Sequence, residues 1–351
     1  MKIAVYAIAL NEAKHVKRFV KACKNADLIV VADTGSTDNT YKLFNDLGVQ
    51  VHKIAVQPFR FEDARNAALA LVPDDVDVCV SLDIDEIPDE GFFDDIRNNW
   101  KPDTNRAWVM WDTGDVWGNN NRVHSRFGYR WVKPCHEITV WTKSEKENII
   151  VLESVVRHKP DDSKSRQFYL DLLELAVKED PNDARMWAYL IREYYFNSAW
   201  NKIIDSIVNL EKLHTGWCVE NSASYRTVAI AYDKLGNRSK SLEYYIKSTE
   251  EDPNSLEPWA ALAQYYYEEK DWQNCYDSAV KVLELSVESD VHYLSEPSAQ
   301  WRMYDLLGIA SWNLGKKGSA KKYARIAHEL NPEDTRLRSN YYFMLGNNNG
   351  V

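Results

Sequence analysis

The chain has 351 residues, 45% of them hydrophobic and 27% charged, and carries a formal net charge of −10. This is the composition of a soluble protein with enough apolar material for two or three domains, and its acidic balance argues against a nucleic-acid binder, which needs a basic footprint. No apolar stretch approaches the roughly 20 residues of a membrane-spanning helix, and the five scattered cysteines, with no CxxC pair, fit a reducing cytoplasm better than a disulfide or zinc framework.

The N-terminal MKIAVYAIAL lacks a basic leader and a small-x-small cleavage site, and reads as a first core strand rather than a signal peptide. EAKHVKRFVKACKNA follows as an amphipathic helix with Val16, Phe19, Val20 and Cys23 on one face. DLIVVAD is a second strand, TDNTYKLFNDLG a helix closed by Gly48, and VQVHKIAV a third strand. EDARNAALALV is a helix stopped by Pro73, and DVDVCVSLD a fourth strand. Alternating strands and helices imply a mostly parallel sheet with helices on both faces, and ligands of such sheets bind beyond the carboxyl ends of the strands.

Residues 100–160 hold six of the thirteen tryptophans, and WVMWDTG, RFGYRW and EITVW read as further, antiparallel strands. Most of these tryptophans are expected in the core, and Trp117, in a loop-like stretch, is the least core-like. From about Asn182 the chain is helical and repetitive. Trp187-x-x-Leu190-x-x-x-Tyr194 matches Tyr225-x-x-Val228-x-x-x-Tyr232 and Trp259-x-x-Leu262-x-x-x-Tyr266, and Tyr304-x-x-Leu307-Gly308 fits too. The steps are 38, 34 and 45 residues, and Pro181 and Pro253 each stand six residues before the next tryptophan. This pattern of aromatic and small residues resembles the tetratricopeptide repeat, an all-α solenoid.

The fourth strand ends in a pile of like charges: Asp83, Asp85, Glu86, Asp89 and Glu90. An Asp-x-Asp past a strand end suits a cation with oxygen ligands, Mg²⁺ or Mn²⁺, that also takes phosphate oxygens; the same residues could instead serve the next helix N-terminus. Three other strand ends bring polar groups to the same edge: Ala9-Leu10-Asn11-Glu12, Asp33-Thr34-Gly35-Ser36-Thr37-Asp38-Asn39-Thr40, and the stretch leading to Ala64-Arg65-Asn66. Together these four motifs resemble the family 2 glycosyltransferases of the GT-A fold, over roughly residues 1–160. A Rossmann dehydrogenase fails as the alternative, because ALNEAKH lacks the glycines of its phosphate loop.

The resemblance implies roles. Ala9, Asn11 and Glu12 would line a base and ribose pocket, Asp33 would bond the uracil or ribose, and Arg65 would reach the base or diphosphate. Asp83, with Ile84, would contact the nucleotide, and Asp85 would ligate the metal. Simpler readings stand beside these: Asp33 capping its own turn, Asn11-Glu12 starting a helix, and Arg65 in a surface ion pair. Inverting transfer needs one base for the acceptor proton, and Glu137 of Cys135-His136-Glu137 is the candidate; otherwise it is a strand residue paired with Lys133 or Arg130. His158 is the candidate histidine of the metal shell, with His136 second; either could simply bond backbone. Arg122, Arg126, Arg130 and Lys133 could hold an anionic group, but are expected mainly on a solvated ribbon face.

The expectation is an α/β GT-A-like domain over 1–165 and a tetratricopeptide-like helical domain over 166–351. The expected activity is metal-dependent transfer, with Mn²⁺ or Mg²⁺ as cofactor, from a nucleotide sugar, UDP- before GDP-linked, to a saccharide, lipid-linked or protein acceptor. The repeats would bind the acceptor's carrier, a protein partner or another copy of the chain. Expected partners exclude nucleic acid, and the expected location is the cytoplasm, with peripheral membrane association left open. Two other classes stay open: a repeat scaffold with an inactive front domain, and a nucleotidyltransferase, which would release pyrophosphate.

Overall fold

The computed structural model describes all residues except 113, 115–116, 160–166, 214–215, 286–298 and 347–351. The chain divides into two compact units, Met1–Ala176 and Val177–Val351.

The first unit is built on an eight-stranded sheet. Its strands are β1 (Ile3–Ala9), β2 (Leu28–Asp33), β3 (Gln50–Lys53), β4 (Val78–Ser81), β5 (Glu86–Pro88), β6 (Arg106–Asp112), β7 (Trp117–Ser125) and β10 (Ile149–His158). They lie in the order β3-β2-β1-β4-β7-β6-β10-β5. β1 runs parallel to β2 and β4, β2 to β3, and β6 to β10; β7 is antiparallel to both its neighbours, and β5 to β10. Strands β8 (Tyr129–Val132) and β9 (Ile138–Trp141) form a separate antiparallel ribbon.

The central strand β1 explains its own sequence. Side chains alternate across a strand, and both faces of β1 are covered, so nearly every residue is apolar. Ile3, Val5, Ala7 and Ala9 meet Val16 and Phe19 of α1 (Val16–Ala22), Phe44 of α2 (Thr40–Asp46) and Phe92, Phe93 and Ile96 of α4 (Phe92–Asn99). Ala4 and Tyr6 meet Ala68 and Leu69 of α3 (Phe61–Ala70) and Trp131 of the ribbon. The first helix is shorter than its amphipathic pattern, because residues 11–15 form a turn beyond the strand end. Glycine 48 stops α2 as expected, with φ +76.

Of WVMWDTG, residues 108–112 fall in the main sheet, whereas RFGYRW and EITVW supply the ribbon. Strands β5, β7 and β10 complete the sheet beyond the expected ones.

Helix α5 (Gln167–Glu179) spans the division between the units. Beyond it come α6 (Ala184–Phe196), α7 (Trp200–Lys212), α8 (Cys218–Lys234), α9 (Arg238–Glu251), α10 (Leu256–Glu268), α11 (Trp272–Glu284), α12 (Ala299–Asn313), α13 (Lys317–Leu330) and α14 (Thr335–Leu345). This second unit is a tetratricopeptide-like run of helices in which sequence neighbours pack together. The recurrent tryptophan has a recurrent partner: Trp187 Nε1 donates to Pro181 O, and Trp259 Nε1 to Pro253 O, both at 2.9 Å. The spacing of six residues thus ties each of these helices to the turn before it. No helix among the described residues is long and apolar enough to cross a membrane.

Candidate functional site

Parallel β1, β2 and β4 end on one edge of the sheet, and the sequence motifs lie there. At the first two ends the groups are knitted to each other. Asn11 adopts φ 56, a left-handed conformation that asparagine tolerates. Its Oδ1 accepts from Thr37 N at 2.8 Å, and its own N–H donates to Ser36 Oγ at 2.9 Å. Glu12 N donates to Thr40 Oγ1 at 2.6 Å. Ala9 is buried, and its carbonyl accepts from Thr34 N at 2.9 Å. These bonds hold the two loops in register.

Asp33 is buried at the end of β2, and its Oδ1 accepts from Gly35 N at 2.9 Å and Ser36 N at 2.8 Å. That is the turn-capping role. Its Oδ2 is buried with no hydrogen-bond partner among the described residues, leaving one oxygen for a ligand. Ile84 packs in the hydrophobic core, so only its backbone can serve a nucleotide.

Two acids of the charge pile after β4, Asp83 and Glu86, are met by arginines. Arg65, 4% exposed on α3, donates from Nε to Glu137 Oε1 at 2.5 Å and from Nη2 to Asp83 Oδ1 at 2.7 Å. Arg122, on β7, donates from Nη2 to Asp83 Oδ2 at 3.3 Å and to Glu86 Oε1 at 3.2 Å. Glu137, Arg65, Asp83, Arg122 and Glu86 therefore form a chain of alternating charge. Glu86 is completely buried and also accepts from Asp83 N at 2.7 Å and Trp111 Nε1 at 2.9 Å. It locks the Asp83–Glu86 turn.

Titration follows from these contacts. Burial favours a neutral Asp83, but the guanidinium groups of Arg65 and Arg122 hold its carboxyl well below the usual range. Burial prevails at Glu86 and raises its carboxyl in spite of Arg122. Burial likewise opposes the charge on Arg65, yet Asp83 and Glu137 hold it more firmly protonated.

Asp85 and His158 form the adjoining pair. The ladder between β10 and β5 sets His158 opposite Glu86, and its Nε2 lies 3.4 Å from Asp85 Oδ2. The hydrogen bond to Asp85 raises the imidazole above its ordinary value. Trp111 stacks on the His158 ring, with centroids 5.2 Å apart. A carboxylate and an imidazole on one spot suit a divalent cation that takes further ligands from phosphate and water. Among the described residues no group of three or more His, Cys, Asp or Glu side chains could hold a metal ion unaided.

On the ribbon side, His136 has φ +47 and its ring packs beside Tyr169 of α5, with centroids 5.8 Å apart. Tyr169 also stacks on Phe61. Burial, then the charges of Glu137 and Asp83, push the Tyr169 hydroxyl up to about 12.

The basic stretch differs from its expectation. Arg130 is exposed, but Arg122 sits inside the charge chain, and Arg126 is half-buried, donating to Val72 O at 2.7 Å. Sequence reasoning left Glu86, Trp111, Tyr169 and Asn66 without roles. Glu137 pairs with Arg65 of α3. The side chain of Trp117 lies outside the described residues.

Comparison with known proteins gives a match to the family model for glycosyl transferase family 2 over residues 5–162. No curated protein matches the chain. Among solved structures, MamA from Desulfovibrio magneticus RS-1 is 14% identical, covering 47% of this chain and 84% of its own, with TM-score 0.38. The pilF protein of Pseudomonas aeruginosa is 14% identical, over 48% of this chain and 69% of its own, with TM-score 0.37. The N-terminal domain of stress-induced protein-1 from C. elegans is 18% identical, over 37% of this chain and 98% of its own, with TM-score 0.32.

Proposed function

From the match of residues 5–162 to the glycosyl transferase family 2 model, we propose that the chain transfers a sugar from a nucleotide-sugar donor, UDP- before GDP-linked, to a hydroxyl acceptor with inversion. The observation that carries this reading is the shared guanidinium of Arg65, which joins Glu137 to Asp83, two residues before the Asp85 of the Asp85–His158 pair. In this reading Glu137 is the base for the acceptor, and the Asp85–His158 pair is the cation site for the leaving group.

In this reading Asp33 Oδ2 accepts a hydrogen bond from the base or ribose, while Oδ1 keeps the turn closed. Arg65 and Arg122 fix Asp83 where it meets the nucleotide. A divalent cation, Mn²⁺ or Mg²⁺, bound by Asp85 and His158 would neutralise the leaving diphosphate. Glu137 keeps Oε1 on Arg65 and takes the acceptor's hydroxyl proton on its other oxygen. The acceptor oxygen bonds the anomeric carbon as the bond to the nucleoside diphosphate breaks. The tetratricopeptide-like helices are read as the surface for a protein partner, the acceptor's carrier or a second copy.

The test is thermal stability with UDP, GDP and their sugars, with and without Mn²⁺, for the wild type and Asp85→Ala. Binding to the native state raises the melting temperature by mass action. A metal-dependent rise for one nucleotide, lost in the variant, is expected. No rise with any nucleotide in the folded protein would refute the reading.

A further inference from the structure

Asn66 follows Arg65 in α3 and touches the ribbon. Its Nδ2 donates to Trp131 O at 2.9 Å, and its Oδ1 accepts from Trp131 N at 2.9 Å. The side-chain amide thereby imitates a neighbouring strand, meeting both backbone groups of one residue. A two-stranded ribbon is marginal by itself in water, so such a clamp has a task.

Trp131 is held on two further sides. Its Nε1 donates to Tyr6 Oη of the central strand at 2.8 Å, and the Arg65 guanidinium lies over its ring at 4.9 Å. One turn away, Phe61 N donates to Pro134 O at 3.0 Å. Trp131 is in register with Thr139, two positions from Glu137. The route from Asn66 to Glu137 is therefore short and rigid: clamp, paired strand, carboxylate.

We propose that Asn66 is a positioning residue, docking the β8–β9 ribbon on α3 so that Glu137 is set against Arg65. Its effect on transfer rests on the reading of Glu137 given above; its effect on the Arg65–Glu137 pair does not. A misplacement of about 1 Å at a reacting group can cost around a hundredfold in rate, so loosening the clamp should act on turnover more than on donor binding.

Two measurements on the full chain test this. The first is a double-mutant cycle in melting temperature. Glu137→Gln is compared in the wild-type and Asn66→Ala backgrounds. The Tm loss caused by Glu137→Gln should shrink by about half or more when the clamp is absent. Fully additive losses would overturn the proposal. Asn66→Asp keeps the acceptor and loses only the donor, and carries the same cycle if Asn66→Ala does not fold.

The second measurement is nucleotide release from UDP-glucose and GDP-mannose with Mn²⁺. Asn66→Ala should lower kcat about ten- to a hundredfold, with donor KM changed less than about threefold. Unchanged kcat, or an equal change in both, would overturn the effect on transfer. A wild type that releases nucleotide from neither donor counts against the transferase reading alone, and the melting cycle then decides the role of Asn66.

Discussion

Arg65 Nε lies 2.5 Å from Glu137 Oε1, although the two residues stand 72 positions apart. The same guanidinium reaches Asp83 at 2.7 Å, so a helix, a strand end and a ribbon converge on one buried cation. Removing one partner of a buried ion pair leaves uncompensated charge and typically costs about 3 to 5 kcal/mol. Arg65→Met, which keeps most of the volume, should destabilise the first unit by an amount of this order and abolish nucleotide-dependent stabilisation. Urea unfolding followed by circular dichroism measures the first effect, and thermal shift with UDP and Mn²⁺ the second. A loss under about 1 kcal/mol would show that Asp83 and Glu137 find other partners.

Glu137→Gln separates chemistry from binding. The amide can still accept a hydrogen bond from Arg65 but cannot take the acceptor's proton. General-base catalysis is commonly worth about 10²- to 10⁴-fold. The variant should lose kcat on that scale and keep its metal-dependent thermal shift with nucleotide, because the groups on β1, β2 and β4 are untouched. Unaltered turnover would remove Glu137 from the reaction.

Histidine 124 predicts a pH dependence of stability. It is fully buried, with Nε2 2.8 Å from Tyr6 Oη and Nδ1 2.8 Å from Ser125 O. A neutral ring donating from Nδ1 to that carbonyl, and accepting the Tyr6 hydroxyl at Nε2, satisfies the geometry. Burial lowers its pKa from 6.5 to about 4. The unfolded chain therefore takes up a proton below about 6.5 that the folded chain refuses until about 4, so stability falls as pH drops through this window and levels below it. The full effect is about 3 kcal/mol. His124→Gln should show a shallower decline between pH 6.5 and 4 in denaturant titrations; parallel curves would refute the assignment.

Much of this arrangement is legible before any coordinates. The apolar runs of β1, β2 and β4 fix the sheet edge, and the residues that break them are those a phosphate and a cation would need. The rest is hidden for physical reasons. Arg122 reaches the site on β7, whose Asn119, Asn120 and Asn121 disguise a strand, since asparagine is depleted there. Glu86 looks like one more repelling acid, and its burial and three donors appear only once β7 and β6 flank the turn. Asn66 sits on a helix, where its spacing signals nothing about a ribbon 65 residues away. Single side chains that act across long separations leave no period in the sequence.

The second unit offers a contrast between two glycines. Gly308, in the repeat signature of α12, would place an added Cβ 3.2 Å from Ala324 N of α13. That neighbour is helical backbone and cannot swing away as a side chain would. Gly308→Ala should therefore force α12 and α13 apart and cost about 1 to 3 kcal/mol, the usual range for overpacking. Gly318, in the first turn of α13, has nothing within 4 Å of an added Cβ. Gly318→Ala should stabilise the protein by up to about 1 kcal/mol, because alanine loses less backbone entropy in a helix. Thermal unfolding of both variants, followed by helical circular dichroism, decides the matter through the sign of the difference. If both substitutions stabilise, helix propensity governs and the close approach at Gly308 does not constrain the packing.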